Sequence, residues 1–393
     1  MLDAMLAIVI LPAVLLSICF AVEVAVGLRP LSGQVGGAVD RALGSAMIVI
    51  PAHNEASSIA ATVGAIASEA AGIAGILVVA DNCTDHTAEI VRESGVRCIV
   101  RTDPEARGKG YALAFAREEM TKAPPSVILI VDADCRINRS SIAALIAAAA
   151  TLMRPVQSIY LLLPDLTAPS FVQMSNFAFM LRNLIRQRGL QRLAARVHLT
   201  GTGMALPWSL FVDANLGGGS IVEDLDLGLS MTARGHAPVL IEDANVWSPA
   251  VSAQGTLQQR ERWEGGFIKN GLRAGLRGLG QSIVSLDGRG LLGAIDLCIP
   301  PLALLGLLDV VAVLLAGIAA ALGASTVPLI AMMAATGLAG VMLMLAWLLE
   351  GRPYASLGAL VRLPLYALRK LPMYGRIFTR GAPRDWLRAD RGD

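Results

Sequence analysis

Three long apolar segments constrain this chain more than any other feature. The first covers residues 4–28 and contains a single acidic residue, Glu23. The other two cover residues 291–322 and 327–349, and a short uncharged link separates them. An α-helix rises about 1.5 Å per residue and a bilayer core is about 30 Å thick, so each segment is long enough to cross a membrane. The pattern predicts a transmembrane helix over residues 1–28 and a transmembrane hairpin over residues 291–350.

Two details refine this prediction. A cleaved signal peptide is the alternative for the first segment, but the chain begins Met1-Leu2-Asp3 without a positive region, and its apolar run is longer than signal peptides use. In the second segment, Pro300 and Pro301 predict that an interfacial helix ends there before the span begins.

The composition agrees with a membrane protein. Charged residues make up 16% of the chain, whereas soluble domains carry about 25%, so an ordinary cytosolic enzyme and a disordered chain are both excluded. The formal net charge of +2 indicates no nucleic-acid partner. The five cysteines show no C-x-x-C spacing, which favours a reducing compartment over a disulfide framework.

Basic residues near the ends of the apolar segments predict the orientation. With three spans they all fall on one side, and the positive-inside rule makes that side cytoplasmic. They are Arg29, Arg41, Arg273, Arg277, Arg289, Arg352, Arg362, Arg369, Lys370 and Arg376. The sequence therefore predicts an integral protein of a bacterial inner membrane, with a cytoplasmic globular domain and an interfacial segment over residues 272–290. Residues 351–393 are predicted to form a basic amphipathic cytoplasmic tail, and a simply solvated tail is the alternative.

Residues 44–271 have the composition of one globular domain. Apolar runs at residues 46–50, 75–79 and 127–131 predict buried strands, and residues 56–71, 84–94 and 110–120 predict crossover helices. This alternation indicates an α/β fold with a parallel sheet, which binds ligands at the carboxyl edge of its strands. Polar clusters follow the predicted strands at Pro51–Glu55, Asp81–Asp85 and Asp132–Asp134. Folding is therefore expected to bring them into one cleft.

Several side chains in this region are candidate ligand-binding groups. Asp132 and Asp134 can offer oxygen ligands to a hard divalent cation, or they can serve a turn. Asp81 can accept a hydrogen bond from a nucleobase, while Asp85 can cap the next helix. Lys109 lies between two glycines at a helix start, a pattern that fits either a phosphate contact or an exposed turn.

Glu223 and Asp224 follow a glycine run at residues 217–219 and begin a helical pattern. Asp224 can act as a general base toward an attacking hydroxyl group beside a metal-bound phosphate. The alternative is that the two acids complement the helix dipole. These residues alone do not decide between the two.

Gln259, Arg262 and Trp263 share one face of a predicted helix. Arg262 can bind a diphosphate, and the Trp263 ring can form a wall of a sugar pocket. The alternative is an amphipathic surface helix in which Arg260 pairs with neighbouring glutamates.

The segment 171–199 combines arginines with large apolar residues at helical spacing. The arginines are Arg182, Arg186, Arg188, Arg192 and Arg196. Such a helix can lie on anionic headgroups and deliver a lipid-linked acceptor, or it can pack against the globular core. The sequence leaves both arrangements open.

Taken together, the motifs resemble glycosyltransferase family 2, in particular its membrane-bound branch with cellulose-synthase-like and ceramide-glucosyltransferase-like members. The matching elements occur in family order over residues 46–265. They are P-x-x-N-E at Pro51–Glu55, D-x-x-x-D at Asp81–Asp85, D-x-D at Asp132–Asp134, E-D at Glu223–Asp224 and Q-x-x-R-W at Gln259–Trp263. One departure is Ala80, which stands where many relatives have a second aspartate, so the specificity for the donor base stays open.

The resemblance implies a GT-A fold, a Rossmann-like mixed sheet with flanking helices, beside the roughly three transmembrane helices that the apolar segments predict. It implies an inverting transfer from a nucleotide-sugar, most often a UDP-sugar, with Asp224 as general base beside Glu223 and with Mg²⁺ or Mn²⁺ on Asp134. The expected donor site comprises Pro51, Asn54, Glu55, Asp81, Lys109 and Asp132. The expected acceptor or product site comprises Gly201, Thr202, Gly203, Gln259, Arg262 and Trp263.

The leading functional hypothesis is a membrane enzyme that transfers one sugar to a membrane lipid or a lipid-linked saccharide. A processive polysaccharide synthase is the first alternative. Three spans are few to enclose a polymer channel, although partner membrane proteins or further copies of the chain can supply more helices. A non-catalytic scaffold that binds nucleotide-sugars is the alternative from another class. The complete set of Asp132, Asp134 and Asp224 argues against it.

Overall fold

The computed structural model describes residues 2–31, 44–217, 222–249 and 253–381. Arg41, Gly218 and Gly219, and the part of the predicted tail beyond residue 381, lie outside the described residues. The chain divides into two compact units. The α/β unit comprises Pro30–Leu163 and Ala195–Trp263, and the helical unit comprises Met1–Arg29, Pro164–Ala194 and Glu264–Ala382.

Strands alternate with helices through much of the α/β unit. The strands are β1 (Ala46–Ala52), β2 (Ala74–Asp81), β3 (Arg97–Arg101), β4 (Val127–Ile130), β5 (Arg136–Ile137), β6 (Val156–Leu162), β7 (Met204–Pro207) and β8 (Val239–Ser248). The helices of the chain are α1 (Leu2–Gly27), α2 (Ile59–Ala70), α3 (Thr87–Glu93), α4 (Lys109–Met120), α5 (Arg139–Leu152), α6 (Ser170–Met180), α7 (Gln187–Ala194), α8 (Trp208–Phe211), α9 (Glu223–Ala233), α10 (Ala253–Ser285), α11 (Gly288–Cys298), α12 (Leu302–Ala321), α13 (Val327–Ala346), α14 (Leu357–Val361), α15 (Leu363–Arg369) and α16 (Leu371–Arg380). Residues Leu181–Arg186 and Trp347–Gly351 are π-helical.

The α/β unit is built on one eight-stranded sheet with the order β3-β2-β1-β4-β7-β6-β8-β5. Strands β1 to β4 are parallel to one another, and β7 runs antiparallel to both β4 and β6. Helices on both faces bury β4 completely and β1 almost completely, as unbroken apolar runs predict. The predicted α/β mixed sheet with flanking helices is confirmed.

The parallel strands place the polar clusters at one edge. Because β2, β1 and β4 are neighbours in the sheet, their carboxyl ends lie side by side. Asp81 is the last residue of β2 and pairs in register with Arg101 at the end of β3. Asp132 follows β4 by two residues. The order of the strands therefore brings together side chains that are far apart in sequence.

Among its described residues, the helical unit contains three helices that are long and apolar enough to cross a membrane. They cover Ile8–Gly27, Leu302–Ala321 and Val327–Gly351. Ile10, Ala316 and Met332 pack together in one buried cluster, whereas Ile8 and Met333 are 73% and 58% exposed. Exposed apolar side chains on a helix that also has a packed face are typical of a lipid-facing surface. The prediction of about three candidate spans is confirmed.

The region before the second span is helical. Helix α10 runs to Ser285 and α11 ends at Cys298, so both contain parts of the predicted interfacial segment 272–290. The predicted break at Pro300 and Pro301 lies between α11 and α12.

The arginine-rich segment 171–199 is arranged differently from either expectation. Residues 164–194 belong to the helical unit, which interrupts the continuous domain predicted over residues 44–271. Arg186 is buried and bonds to Glu23 Oε2 at 2.6 Å and to Asp296 Oδ1 at 2.5 Å. Arg188, also buried, bonds to Glu350 at 2.9 Å. The predicted headgroup contact is wrong for these two arginines, because acidic groups of the apolar helices and their flanks take up both charges.

A basic residue of the predicted tail, Lys370, is also buried. Lys370 is 1% exposed. Its ammonium group bonds to Glu264 Oε1 and lies 4.8 Å from the centre of the Tyr366 ring. Glu264 therefore pairs with Lys370, and Arg260, its predicted alternative partner, stacks over Trp263. Leu368 and Leu371, which are near the lysine in the chain, are exposed, and the interfacial position of the tail stays a prediction.

Replacing Arg186 by methionine is expected to destabilise the protein. The substitution leaves Glu23 and Asp296 buried without the cation they share, and breaking a buried ion pair from one side costs about 3–5 kcal/mol. Unfolding of the detergent-solubilised protein by heat or denaturant measures the loss. Lys122→Met, which removes an exposed ion pair with Glu119, is the control and is expected to unfold like the wild type. Equal transitions for Arg186→Met and the wild type would contradict the prediction.

Candidate active site

The candidate site lies in the α/β unit at the carboxyl edge of the parallel strands. Its centre is Lys109, the first residue of α4, whose side chain is only 9% exposed. The ammonium group forms an ion pair with Asp132 and donates to the Gly201 carbonyl oxygen at 2.6 Å. The predicted exposed turn at Lys109 is wrong, since the lysine side chain points into the site.

The loop Gly201–Gly203 is bonded to the backbone of Asp132. The Asp132 backbone N–H donates to Thr202 Oγ1 at 3.1 Å, and Thr202 is fully buried. Gly203 has a φ of +64°, and a Cβ added there would lie 1.9 Å from Ser158 Oγ, so only glycine fits this close approach. The loop is therefore held against the backbone of Asp132, and its predicted role on the acceptor side stays a prediction.

Asp224 approaches the same place from α9. Gly201 has a φ of +89°, and a Cβ added there would lie 3.4 Å from Asp224 Oδ2 and 3.6 Å from Lys109 Nζ. The two charged groups therefore border one small space beside Gly201. Asp132, Asp224 and Lys109, which are distant in sequence, meet as the motifs predict.

The lysine is the counter-charge of this acidic cluster. Burial by itself lowers the pKa of Lys109, but the neighbouring acidic groups, Asp132 first and then Glu223 and Asp224, outweigh it and raise the pKa. The lysine consequently stays protonated at neutral pH.

Glu223 has a different environment from an ordinary surface glutamate. Burial, together with the negative charge of Asp224, raises its pKa to about 8, and the attraction of Lys109 offsets this rise only in part. Glu223 is therefore mostly protonated at neutral pH. A proton held on Glu223 makes Asp224 the better candidate for a base, because a protonated carboxyl group cannot accept another proton.

Asp132 and Asp134 offer oxygen ligands close to one another. One side-chain ligand atom from each of Asp132, Asp134 and Cys135 lies within 4.8 Å of the others. Burial, reinforced by the charges of Asp134 and Asp132, raises the pKa of the Cys135 thiol well above 9.0, which keeps it protonated. The two carboxylates are the donors that suit a hard cation such as Mg²⁺ or Mn²⁺.

Arg262 acts on this cluster from α10. Burial raises the pKa of Asp132, whereas the positive charges of Lys109 and Arg262 oppose that rise. Arg262 is thus near enough to stabilise negative charge at the site. Gln259 and Trp263 are half-buried on the same helix, and their predicted contacts with donor or acceptor stay predictions.

The side chains predicted to bind the nucleotide form hydrogen bonds within the protein. Asp81 is fully buried, and its Oδ1 accepts a hydrogen bond from Arg101 at 2.7 Å. Asn54, whose φ is +54°, accepts the Thr84 backbone N–H at 2.8 Å, and Glu55 accepts the Ser58 hydroxyl group at 2.6 Å. The bond between Asn54 and Thr84 joins the loops after β1 and β2, and the bond between Asp81 and Arg101 joins the ends of β2 and β3. Asp81 positions Arg101 in this way, and direct donor contacts by Asp81, Pro51, Asn54 and Glu55 stay predictions.

Arg101 is the residue that sequence reasoning missed at this edge. It bonds to Asp81, to Asp103 Oδ2 at 2.9 Å and to the Ala106 carbonyl oxygen at 2.7 Å, and it lies 5.4 Å from the centre of the Tyr111 ring. The sequence signal for it is its place at the end of the short run Arg97–Arg101, whose central residues are apolar and which forms β3.

The raised pKa of Glu223 predicts a pH dependence of stability. The folded protein keeps this proton up to about pH 8, whereas the unfolded chain loses it near pH 4.5. The free energy of unfolding is therefore expected to fall as the pH rises between these values. Thermal unfolding in buffers that contain a chelator measures the slope.

Glu223→Gln is expected to flatten that slope, and Glu105→Gln, at an exposed position, is expected to keep it. A wild-type slope in Glu223→Gln would show that another group carries the proton.

The comparisons with known proteins agree with this geometry. Residues 44–266 match the family described as glycosyltransferase like family 2. A mannosyltransferase from Pyrobaculum calidifontis, solved in complex with GDP-Man and Mn²⁺, superposes with a TM-score of 0.55 at 17% identity, over 93% of this chain and 99% of that one. At this identity the likeness shows the fold alone. No curated protein matches the chain.

A glucosyl-3-phosphoglycerate synthase from Mycobacterium tuberculosis, in complex with Mn²⁺, UDP and phosphoglyceric acid, is a more distant likeness. The match covers 55% of this chain and 74% of that one, at 18% identity and a TM-score of only 0.37. The family match carries the assignment, because it spans more than half of the 393 residues. The chain belongs to the glycosyltransferase like family 2 and is a glycosyltransferase with a GT-A-like fold.

Proposed function

We propose that this protein is a membrane-bound, metal-dependent inverting glycosyltransferase that moves a sugar from a nucleotide-sugar to a membrane lipid or lipid-linked saccharide. The observation that carries the proposal is the convergence of Asp132 and Asp224 on Lys109, with Asp134 two residues from Asp132. Charge of both signs in one half-buried cleft suits a reaction in which negative charge develops on a diphosphate.

Asp134 and Asp132 would hold the divalent cation. Their donor atoms are close enough for one ion, and carboxylate oxygens suit Mg²⁺ or Mn²⁺. Bound there, the cation would offset the charge of the diphosphate leaving group. The mannosyltransferase with the similar fold was itself solved with Mn²⁺.

Asp224 would take the proton from the acceptor hydroxyl group. The acceptor oxygen attacks the anomeric carbon as the bond to the diphosphate oxygen breaks on the opposite side, so the configuration inverts and a nucleoside diphosphate leaves. Glu223, with its pKa near 8, keeps its own proton at neutral pH. Lys109 and Arg262 would supply positive charge toward the departing diphosphate, since both already act on Asp132.

Specificity would come from the neighbouring groups. The Asp81–Arg101 pair lies at the ends of β2 and β3, where the nucleobase is expected. Trp263 and Gln259 on α10 would contact the acceptor or product sugar. For the donor, a UDP-sugar is our proposal by resemblance to the family.

The three apolar helices support a membrane location. Arg29 follows the first helix, Arg289 precedes the second by about a dozen residues, and Arg352 follows the third. With three spans these residues lie on one side, which the positive-inside rule makes cytoplasmic. We propose that the α/β unit is cytoplasmic and that the protein resides in a bacterial inner membrane.

Asp224→Asn is expected to reduce sugar transfer by about 10²–10⁴-fold, because it removes the base. Donor binding is expected to be retained, since asparagine has nearly the same shape. Purified protein in lipid, supplied with labelled nucleotide-sugars and membrane extract, measures the turnover and also the length of the product, which separates a single addition from polymerisation. Asp213→Asn, an exposed carboxyl group, is the matched control. Full turnover by Asp224→Asn would refute the assigned base.

Removal of divalent cations is expected to abolish transfer, and Mn²⁺ or Mg²⁺ is expected to restore it. Asp134→Asn should raise the cation concentration required for half-maximal turnover, because the site loses a charged ligand. Titration of turnover against Mn²⁺ makes the comparison, with Asp213→Asn again as control. Turnover that persists in excess chelator would exclude the proposed metal dependence.

A further inference from the structure

A groove in the helical unit lies outside the candidate active site. Its walls are α10, from Gly265 to Arg277, and the C-terminal end of α16, and its volume is about 550 Å³. We propose that this groove binds one anionic membrane phospholipid. Its phosphate would contact the cations of α10, and an acyl chain would pack against the apolar residues beside them. This inference rests on the proposed membrane location and is independent of the transfer chemistry.

The charge of the groove favours an anionic ligand. Lys269, Arg273 and Arg277 line the groove at every fourth position of α10, so they lie on one face at intervals of about 6 Å. All three side chains are exposed. The described residues of the lining include no carboxylate, and within the described parts of the chain no acidic side chain pairs with any of the three. A row of unpaired cations is complementary to a phosphate group.

An apolar surface lies beside these cations. Leu272 and Leu276 alternate with the cations along α10, and Phe378 faces the groove from α16. Leu276 is 59% exposed and Phe378 is 65% exposed. Exposure of such large apolar side chains to water is unfavourable, whereas contact with an acyl chain is favourable. A soluble anion would leave this surface uncovered, whereas a phospholipid covers it while its phosphate meets the cations.

The groove also lies close to a candidate span. Tyr374, on α16 just before the groove, lies close to the backbone of Leu304, in the first turn of α12. The groove is thus near the end of that span, at the level where lipid headgroups lie.

Contacts between its walls preform the groove. Glu264 of α10 accepts a hydrogen bond from Tyr374 at 2.8 Å and pairs with the buried Lys370, so the two walls are held together. On its other side α10 packs against α11 so closely that a Cβ added to Gly275 would lie 2.9 Å from the Ala294 carbonyl oxygen. Binding therefore requires little ordering of the protein.

The test compares two double variants that lose the same charge. Arg273→Gln/Arg277→Gln removes two groove cations, and Arg289→Gln/Arg369→Gln removes two exposed cations of the same unit outside the groove. Each protein is reconstituted in nanodiscs of phosphatidylcholine and phosphatidylglycerol and released in a native mass spectrometer, where retained lipids are identified. Thermal unfolding confirms that each variant is folded.

We expect the wild type and the control to retain one phosphatidylglycerol in preference to phosphatidylcholine. The groove variant should bind it about 25-fold more weakly, because each basic residue near a membrane surface contributes a factor of about five. Asp224→Asn should retain the lipid like the wild type, so failure of the lipid site and failure of the proposed catalysis are distinguishable. Leu276→Glu, at an exposed position, should also lose the lipid and serves if the double variant does not fold.

Other outcomes overturn the proposal. Equal loss in the control variant would mean diffuse surface electrostatics, and equal retention of both lipids would mean that the phosphate charge is not recognised. Displacement of the lipid by inorganic phosphate would reassign the groove to a soluble anion. A carbodiimide cross-link from Lys269 to Asp385, Asp390 or Asp393 would identify the chain's own C-terminal segment as the occupant.

Discussion

The ion pair between Lys109 and Asp132 is the interaction on which the candidate site depends. Asp132, Glu223 and Asp224 all act on this one buried ammonium group. Carboxylates gathered in a half-buried cleft repel one another, and desolvation disfavours each of their charges. A lysine at the first position of α4, held also by the Gly201 carbonyl oxygen, supplies the compensating charge. The motifs can be neighbours because this cation lies among them.

In the helical unit, an arginine compensates the charge of two buried carboxylates. Glu23 and Asp296 are buried in apolar surroundings, and Arg186 bonds to both through separate guanidinium nitrogens. The planar group suits two carboxylates, whereas a lysine offers a single point charge. Arg188 and Lys370, which are also buried, each form an ion pair with one carboxylate, that of Glu350 and that of Glu264 respectively. The two arginines of the segment, Arg186 and Arg188, are therefore part of the packing that surrounds the candidate spans, whereas the cations of the groove on α10 are exposed.

Much of the site was predictable because it follows from local rules. Unbroken apolar runs gave the strands β1, β2 and β4, and parallel strands put the residues after them at one edge. That is sufficient to bring the loops after these strands into one region. Arg101 was not predictable in this way, because β3 is short and only partly buried. The protonated state of Glu223 also cannot be predicted from the sequence, because it depends on burial and on the charge of Asp224 in the folded protein.

The amino-acid sequence determined the apolar segments, the alternation of strands and helices, and the order of the motifs, because each of these depends on residues that are near one another in the chain. The tertiary structure decided which charges are paired. Arg186 meets acidic partners 163 and 110 residues away, and Lys370 meets Glu264 across 106 residues. Any of these cations could be solvated in an isolated segment. Only the packed fold removes water from them and makes one partner more favourable than another, because the cost of burial depends on surroundings supplied by distant parts of the chain.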